Sequence, residues 1–251
     1  MSNNSLKRKN VALIVPCYNE EERLIEEYWT EILNWGIVSL LFVDDGSTDK
    51  TIFKLENLLK YPNCRALRIS SNVGKANAIR LGMLEVKNFG DFQGIGFIDA
   101  DTSFDLKDIR SFISIWEKKS GEIDSFDSLW SSRVKLSGRD INRKTSRHYI
   151  GRILITLISV GVKNMPYDSQ SGFKLFHNTS DFNEVLLPEF KTKWFFDLEL
   201  YARLMKINRN YKVYEEPLNS WHDVGGSKIT HKQYFRILRE IILIRRLLKN
   251  Y

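Results

Sequence analysis

The chain has 251 residues, a hydrophobic fraction of 43% and a formal net charge of +7, which suits one α/β core and makes two small domains the less simple reading. The positive charge favours an anionic partner such as a nucleotide or a phospholipid surface, while basic residues spread along the chain without a reader motif argue against nucleic acid. The two cysteines, Cys17 and Cys64, stand in neither metal nor redox spacing, which argues against a disulfide framework and predicts a cytoplasmic protein.

In chain order, residues 1–10 are polar and basic without the apolar stretch of a signal peptide and are read as a flexible leader. Four short β-branched runs follow, alternating with amphipathic stretches, which is the pattern of βαβ units around a parallel sheet. The expected strands are Val11 to Val15, Leu40 to Val43, Ala66 to Ile69 and Gly94 to Ile98. The expected helices are Glu21 to Leu33, Thr48 to Leu59 and Lys75 to Val86, the second capped by Ser47, Thr48 or Asp49.

Beyond Asp101 the pattern changes. A helix is expected over Asp105 to Lys118, a strand over Ser128 to Val134, and a helix pair or one long helix between Asn142 and Lys163. Short strands over Gly172 to Phe176 and Tyr211 to Glu215 flank a helix from Phe196 to Lys206. The tail from His231 to Asn250 repeats apolar residues at helical spacing with arginines interleaved, and reads as an amphipathic helix on the core or on a membrane. No run reaches the ~18 consecutive apolar residues of a membrane span. The longest candidate, Ile153 to Val162, is too short, so the chain is expected at most to lie peripherally on the cytoplasmic membrane face.

Three motifs sit at strand ends, where an open α/β sheet binds its ligands. Pro16-Cys17-Tyr18-Asn19-Glu20 ends the first strand, and Tyr18 offers a flat face to a nucleobase unless the segment is only a turn into a helix. Asp44-Asp45-Gly46-Ser47 ends the second; its adjacent acids are costly at a buried edge unless they bind base, ribose or metal, the alternative being an Asx turn. Asp99-Ala100-Asp101 ends the fourth. Carboxylates at i and i+2 on an extended segment project the same way and can share one hard cation, Mg²⁺ or Mn²⁺, with diphosphate oxygens; a solvated acidic turn is the alternative.

With these motifs the chain resembles family 2 glycosyltransferases of the glycosyltransferase-A fold, a Rossmann-like, mostly parallel sheet flanked by helices. More narrowly, it is similar to the branch of dolichyl-phosphate mannosyl- and glucosyltransferases and polyprenyl-phosphate glycosyltransferases. The matches continue in order through Asn72-Val73-Gly74-Lys75, Asp168-Ser169-Gln170-Ser171-Gly172-Phe173-Lys174, Phe196-Asp197-Leu198-Glu199 and Gly226-Ser227-Lys228. The resemblance implies that Pro16, Tyr18, Glu20 and Asp45, with Asp44 and Lys75 from the same motifs, hold the nucleotide. It places Asp99, Ala100 and Asp101 at the diphosphate and Asp99 and Asp101 on the metal, and matches Arg133, a residue of the Arg143 to Arg147 segment and Lys228 to the basic set that receives an acceptor phosphate.

Asp101, Asp168 and Asp197 are the expected catalytic acids. Asp168 is either a base for a hydroxyl acceptor or an orienter for a phosphate that is already anionic. Of Asp197 and Glu199, one is expected in the pocket and the other paired with a basic neighbour. Ser103 stands where mannosyltransferase relatives often carry Gln or His, which leaves the third metal ligand open; His222 is a candidate, but a lone His beside Trp221 is more often structural.

The expected organisation is a glycosyltransferase domain over 11–230, with a nucleotide-binding half (11–103) and an acceptor half (104–230), and a C-terminal helix over 231–251. The expected activity is inverting, metal-dependent transfer of a hexose from a nucleotide sugar of the UDP-glucose or GDP-mannose type to polyprenyl or dolichyl phosphate, with room for a membrane-anchoring partner. The alternatives are a saccharide hydroxyl acceptor in cell-envelope polysaccharide synthesis and a silent nucleotide-sugar-binding subunit.

Overall fold

A computed structural model describes residues 11–119, 126–143, 145–160, 162, 165–223 and 231–249, without the side chains of 145–150 and 231–234. The leader, Lys144, Lys228 and the rest of the Gly226 motif, and the side chain of Arg147 therefore lie outside the described residues. Strands β1 (Val11–Cys17), β2 (Val38–Asp44), β3 (Cys64–Arg68) and β4 (Gly94–Ile98) form one side of a seven-stranded sheet, and β5 (Ser128–Ser132), β7 (Phe173–His177) and β8 (Val213–Pro217) the other. The order is β3-β2-β1-β4-β7-β5-β8, parallel except that β7 runs antiparallel to both of its neighbours. A small second sheet pairs β6 (Asp140–Asn142) with β9 (Ser220–His222).

β1, β2 and β4 are almost wholly buried, as expected of parallel strands covered on both faces. Successive β1 residues alternate between two apolar cores. Ala12 and Ile14 join Ile79 and Met83 of α3 (Lys75–Glu85), Leu198 and Tyr201 of α7 (Phe196–Ile207), and Ile237 and Ile241 of α8 (His231–Lys249). Leu13 and Val15 join Trp29 and Ile32 of α1 (Glu26–Asn34), and Phe112 and Trp116 of α4 (Leu106–Lys119). Cys17 and Cys64 are buried free thiols.

Some boundaries differ from those expected. α1 begins at Glu26 rather than Glu21, because the preceding residues form a turn in which the amides of Arg23 and Leu24 donate to the Glu20 carbonyl. α2 (Thr51–Leu58) begins after Lys50, which gives it no side-chain cap. Ser47 and Thr48 bond across to Asn19 instead, and Asp49 accepts from the Thr51 amide and hydroxyl. Among the described residues the segment after Asn142 holds one helix, α5 (Thr145–Ser159).

α6 (Ser180–Leu186) was not expected, although Thr179 caps it by accepting from the Phe182 amide. The tail helix α8 buries Ile237, Ile241, Ile244 and Leu248 and leaves Phe235, Leu238 and Ile242 exposed. Among the described residues no helix is long and apolar enough to cross a membrane.

Candidate active site

Chain order leaves β1 for β2 and β3 on one side and returns to β4 on the other, which makes the β1/β4 crevice the switch point where such sheets bind ligands. A cavity of about 440 Å³ opens there. Pro16 and Glu20 line it after β1, Asp99, Ala100 and Asp101 after β4, and Lys75 from the first residue of α3. Gln170, Ser171 and Gly172 form the wall before β7, and Lys193, Trp194, Phe196 and Asp197 the wall at the start of α7. The cavity thus gathers Pro16, Glu20, Lys75, Asp99, Ala100, Asp101 and Asp197 from the sequence-predicted set.

The end of β4 is fixed by its neighbours. The Asp99 amide donates to the Gly172 carbonyl, and Lys75 Nζ donates to Asp99 Oδ1 at 2.5 Å. Any Cβ at position 172 would overlap the Asp99 carboxylate, so glycine there is a condition for the acid's placement. Asp101 Oδ1 accepts from the Ser103 amide. Burial raises the Asp101 carboxyl pKa, and the neighbouring Asp99 raises it further.

Two hard carboxylates whose proximity disfavours their joint ionisation fit a divalent cation, which would relieve that repulsion. Among the described residues no cluster of three or more His, Cys, Asp or Glu is placed to hold a metal. His222 lies on β9 beside Asp140 and Ser220 and does not line the cavity, which agrees with the structural reading favoured for it.

The acids after β2 do something else. Asp45 accepts from the amides of Val73 at 2.7 Å and Gly74 at 2.9 Å, and Asp44 Oδ1 accepts from the Ser47 amide. Both residues are buried and neither lines the cavity. The Asp45 bonds tie the second loop to the α3 loop, whereas Asp44 closes an Asx turn in its own loop and keeps its Oδ2 buried without a hydrogen-bond partner, 3.6 Å from Arg68 Nε. Gly46, at φ 72°, makes the turn between them and Ser47. Tyr18 is exposed and also outside the lining.

Next to the main cavity a recess of about 20 Å³ is lined by Arg133, Arg143, Arg152, Tyr167, Asp168 and Gln170, with Gly151 and Ile155 of α5. Arg133 donates through Nε and Nη2 to the two oxygens of Asp168, each at 2.8 Å, and its guanidinium sits 5.1 Å from the Trp221 ring. Burial pulls the Asp168 carboxyl upward, but the Arg133 charge and hydrogen bonds, with Arg143 adding, hold it well below the usual range. Its backbone is fixed by Glu215, which accepts from the amides of Tyr167 and Asp168. Asp168 is thus engaged on both oxygens by Arg133, an arrangement that suits the orienting one of its two expected roles. Gln170 lines both cavities, and its Nε2 is a buried donor without a hydrogen-bond partner.

Asp197 and Glu199 part as expected. Asp197 reaches the cavity and accepts from Lys174 Nζ at 2.6 Å, while Glu199 pairs with Arg203 and accepts from the amides of Lys191 and Thr192. Lys174 is fully buried, and its Nζ also donates to the carbonyls of Ser169 and Ser171. These three acceptors match the three N–H bonds of an ammonium, while burial draws both Lys174 and Asp197 toward their neutral forms. Sequence reasoning missed Lys193 and Trp194, which carry no spacing signal of their own; Gln170 and Lys174 stood inside a quoted motif without a role.

The model of the family described as Glycosyl transferase family 2 matches residues 12–157. Dolichyl-phosphate beta-glucosyltransferase of Saccharomyces cerevisiae is 28% identical over 264 residues, covering 94% of this chain and 74% of that protein. Dolichyl-phosphate beta-glucosyltransferase ALG5D of Trichomonas vaginalis is 31% identical over 241 residues, covering 87% and 68%. Among solved structures, glucosyl-3-phosphoglycerate synthase from Mycobacterium tuberculosis, in complex with Mn²⁺, UDP-glucose and phosphoglyceric acid, superimposes with a TM-score of 0.65 at 15% identity, covering 94% of this chain and 78% of that one. That likeness establishes the glycosyltransferase-A fold.

Proposed function

The chain belongs to glycosyl transferase family 2 and is a glycosyltransferase, and from that premise we propose that it transfers glucose with inversion from a UDP-glucose-type donor to a polyprenyl or dolichyl phosphate. The observation that carries the reading is the junction at Gln170 of an acid-tipped cavity sized for a nucleotide sugar with a recess lined by Arg133, Arg143 and Arg152. The acceptors named in the dolichyl-phosphate glucosyltransferase relatives support it.

In this reading Pro16, Glu20 and Lys75 bound the nucleotide side of the cavity. Asp99 and Asp101 would hold Mg²⁺ or Mn²⁺, which when bound neutralises charge on the leaving diphosphate. Arginine forks suit a phosphate ester, and Arg133, held rigid by Asp168, with Arg143 and the Gln170 amide, orient it; the sequence pattern adds Arg147 and Lys228. A phosphate oxygen is anionic at neutral pH, so no side chain has to remove a proton. A saccharide hydroxyl would need an ionised, accessible base. Asp168 and Asp197 are each engaged by a buried cation, which disfavours that alternative. An intact acid pair likewise disfavours a silent binding subunit.

The test is transfer of label from UDP-glucose to undecaprenyl or dolichyl phosphate in detergent with Mg²⁺ or Mn²⁺. Label should enter the lipid fraction, and Asp101→Asn should lower the rate by at least about 10²-fold with an unchanged circular dichroism spectrum. Arg143→Gln should raise the acceptor KM more than the donor KM. Transfer to a saccharide hydroxyl but not to lipid phosphate would overturn the reading.

A further inference from the structure

Core packing leaves two helix faces uncovered on neighbouring elements. Ile153 and Leu157 of α5 and Val160, just past its last residue, recur at steps of four and three and are 60%, 50% and 57% exposed. On α8, Phe235, Leu238 and Ile242 do the same at 75%, 56% and 53%. The opposite sides are the ones spent on the fold, with Ile155 and Ile158 buried on α5 and Ile237, Ile241, Ile244 and Leu248 buried on α8. Arg245 of α8 donates to the Leu157 carbonyl of α5, so the helices are joined at the edge of their exposed faces.

The charges on this surface have one sign. Arg236, Arg239, Arg246 and Lys249 are exposed among the apolar residues of α8. The sole acid on that helix, Glu240, is buried against another segment, and α5 carries no acid. Large apolar side chains interleaved with arginines on a helix face suit the headgroup boundary of a membrane, where the rings and aliphatic chains enter the acyl region and the guanidinium groups meet lipid phosphate.

We propose that the joined outer faces of α5 and α8 form a docking surface for an anionic lipid bilayer. The proposal deepens the functional reading above, on which the acceptor's phosphate is presented at a membrane. A second copy of the chain fits this surface poorly, because a two-fold contact would set arginines against arginines. α5 also borders the acceptor recess: Gly151, Arg152 and Ile155, toward its inner side, line the recess that holds Arg133 and Arg143.

Co-sedimentation of the whole protein with phosphatidylcholine vesicles, with and without about 30 mol% phosphatidylglycerol, tests the surface in the absence of sugar nucleotide and polyprenyl phosphate. The anionic vesicles should bind at least about tenfold more tightly than the neutral ones, and binding should weaken as salt rises from about 0.1 M to about 0.5 M. The combined variant Phe235→Gln, Leu238→Gln and Ile242→Gln changes only exposed positions and should lose about tenfold or more in partitioning with an unchanged circular dichroism spectrum. Arg239→Gln with Arg246→Gln should lose the preference for anionic lipid.

Wild-type protein that stays in the supernatant with anionic vesicles would overturn the proposal, as would full binding by the triple variant. So would a wild-type dimer in solution that the triple variant abolishes. Vesicle binding as expected, without sugar transfer to lipid phosphate, would sustain the docking surface and remove the functional reading instead.

Discussion

Glu20 shows how the cavity treats a single carboxyl. Burial raises its pKa; Arg23 opposes and Asp101 and Asp99 add to the rise, leaving it at about 7 against an ordinary 4.5. Its Oε2 is buried without a hydrogen-bond partner. The folded chain therefore holds this proton more tightly than the unfolded chain, and stability falls as pH rises through the window from about 4.5 to about 7. In metal-free buffer the drop should be on the order of 3 kcal/mol, and Glu20→Gln should flatten it. Urea midpoints measured across that window decide the matter, and an equal slope in the variant would refute the assignment. Lys174 poses the opposite case, a buried cation tied to Asp197 under the cavity wall. Lys174→Met strands that carboxylate and should cost about 3–5 kcal/mol. Adding Asp197→Leu should restore most of the stability but not transfer activity, because Asp197 lines the cavity. Recovery of activity in the double variant would show that Asp197 has only a structural part.

At the scale of elements, the wall of the cavity at residues 193–195 is held by a helix far along the chain. Glu240 of α8 accepts from the amides of Lys193, Trp194 and Phe195, just ahead of α7 and next to the pair of amides that Glu199 accepts. Glu240→Gln keeps the shape and loses the charge that strengthens these bonds, with an expected destabilisation of about 1.5–3 kcal/mol. Hydrogen exchange at these amides should accelerate and the donor KM should rise; unchanged exchange would show that α8 does not hold the wall. No sequence pattern announced this contact, because Glu240 reads there only as one charge on an amphipathic helix. β1 to β4 were legible because buried parallel strands are continuous apolar runs, and their acid-tipped ends were legible because ligand sites lie at carboxyl ends. β6 and β9 were not, being three residues each and paired only through the fold. The bonds that Asp44 and Asp45 accept were not legible either, because the amides of Ser47, Val73 and Gly74 are backbone groups that a sequence does not display.

Across the whole molecule, the division into a nucleotide half and an acceptor half does not coincide with a division of the core. β4 of the first half pairs with β7 of the second from Gly94 opposite His177 to Ile98 opposite Phe173, and Phe97 packs on Phe196. The cavity draws its lining from both sides of that seam, from Pro16 to Asp197. A fragment of residues 11–103 would expose the β4 edge and the apolar faces that α7 and α8 cover, and should be unfolded or aggregated when expressed alone. The intact chain should accordingly lose both halves together. Urea unfolding followed by far-UV circular dichroism and by tryptophan fluorescence, with Trp29 in the first half and Trp130 in the second, should give coincident midpoints. A nucleotide sugar that binds only the folded chain should move both midpoints by the same amount. Separate midpoints by the two probes, with only one of them moved by the nucleotide, would mean that the halves unfold independently and that the β4/β7 seam is a domain boundary.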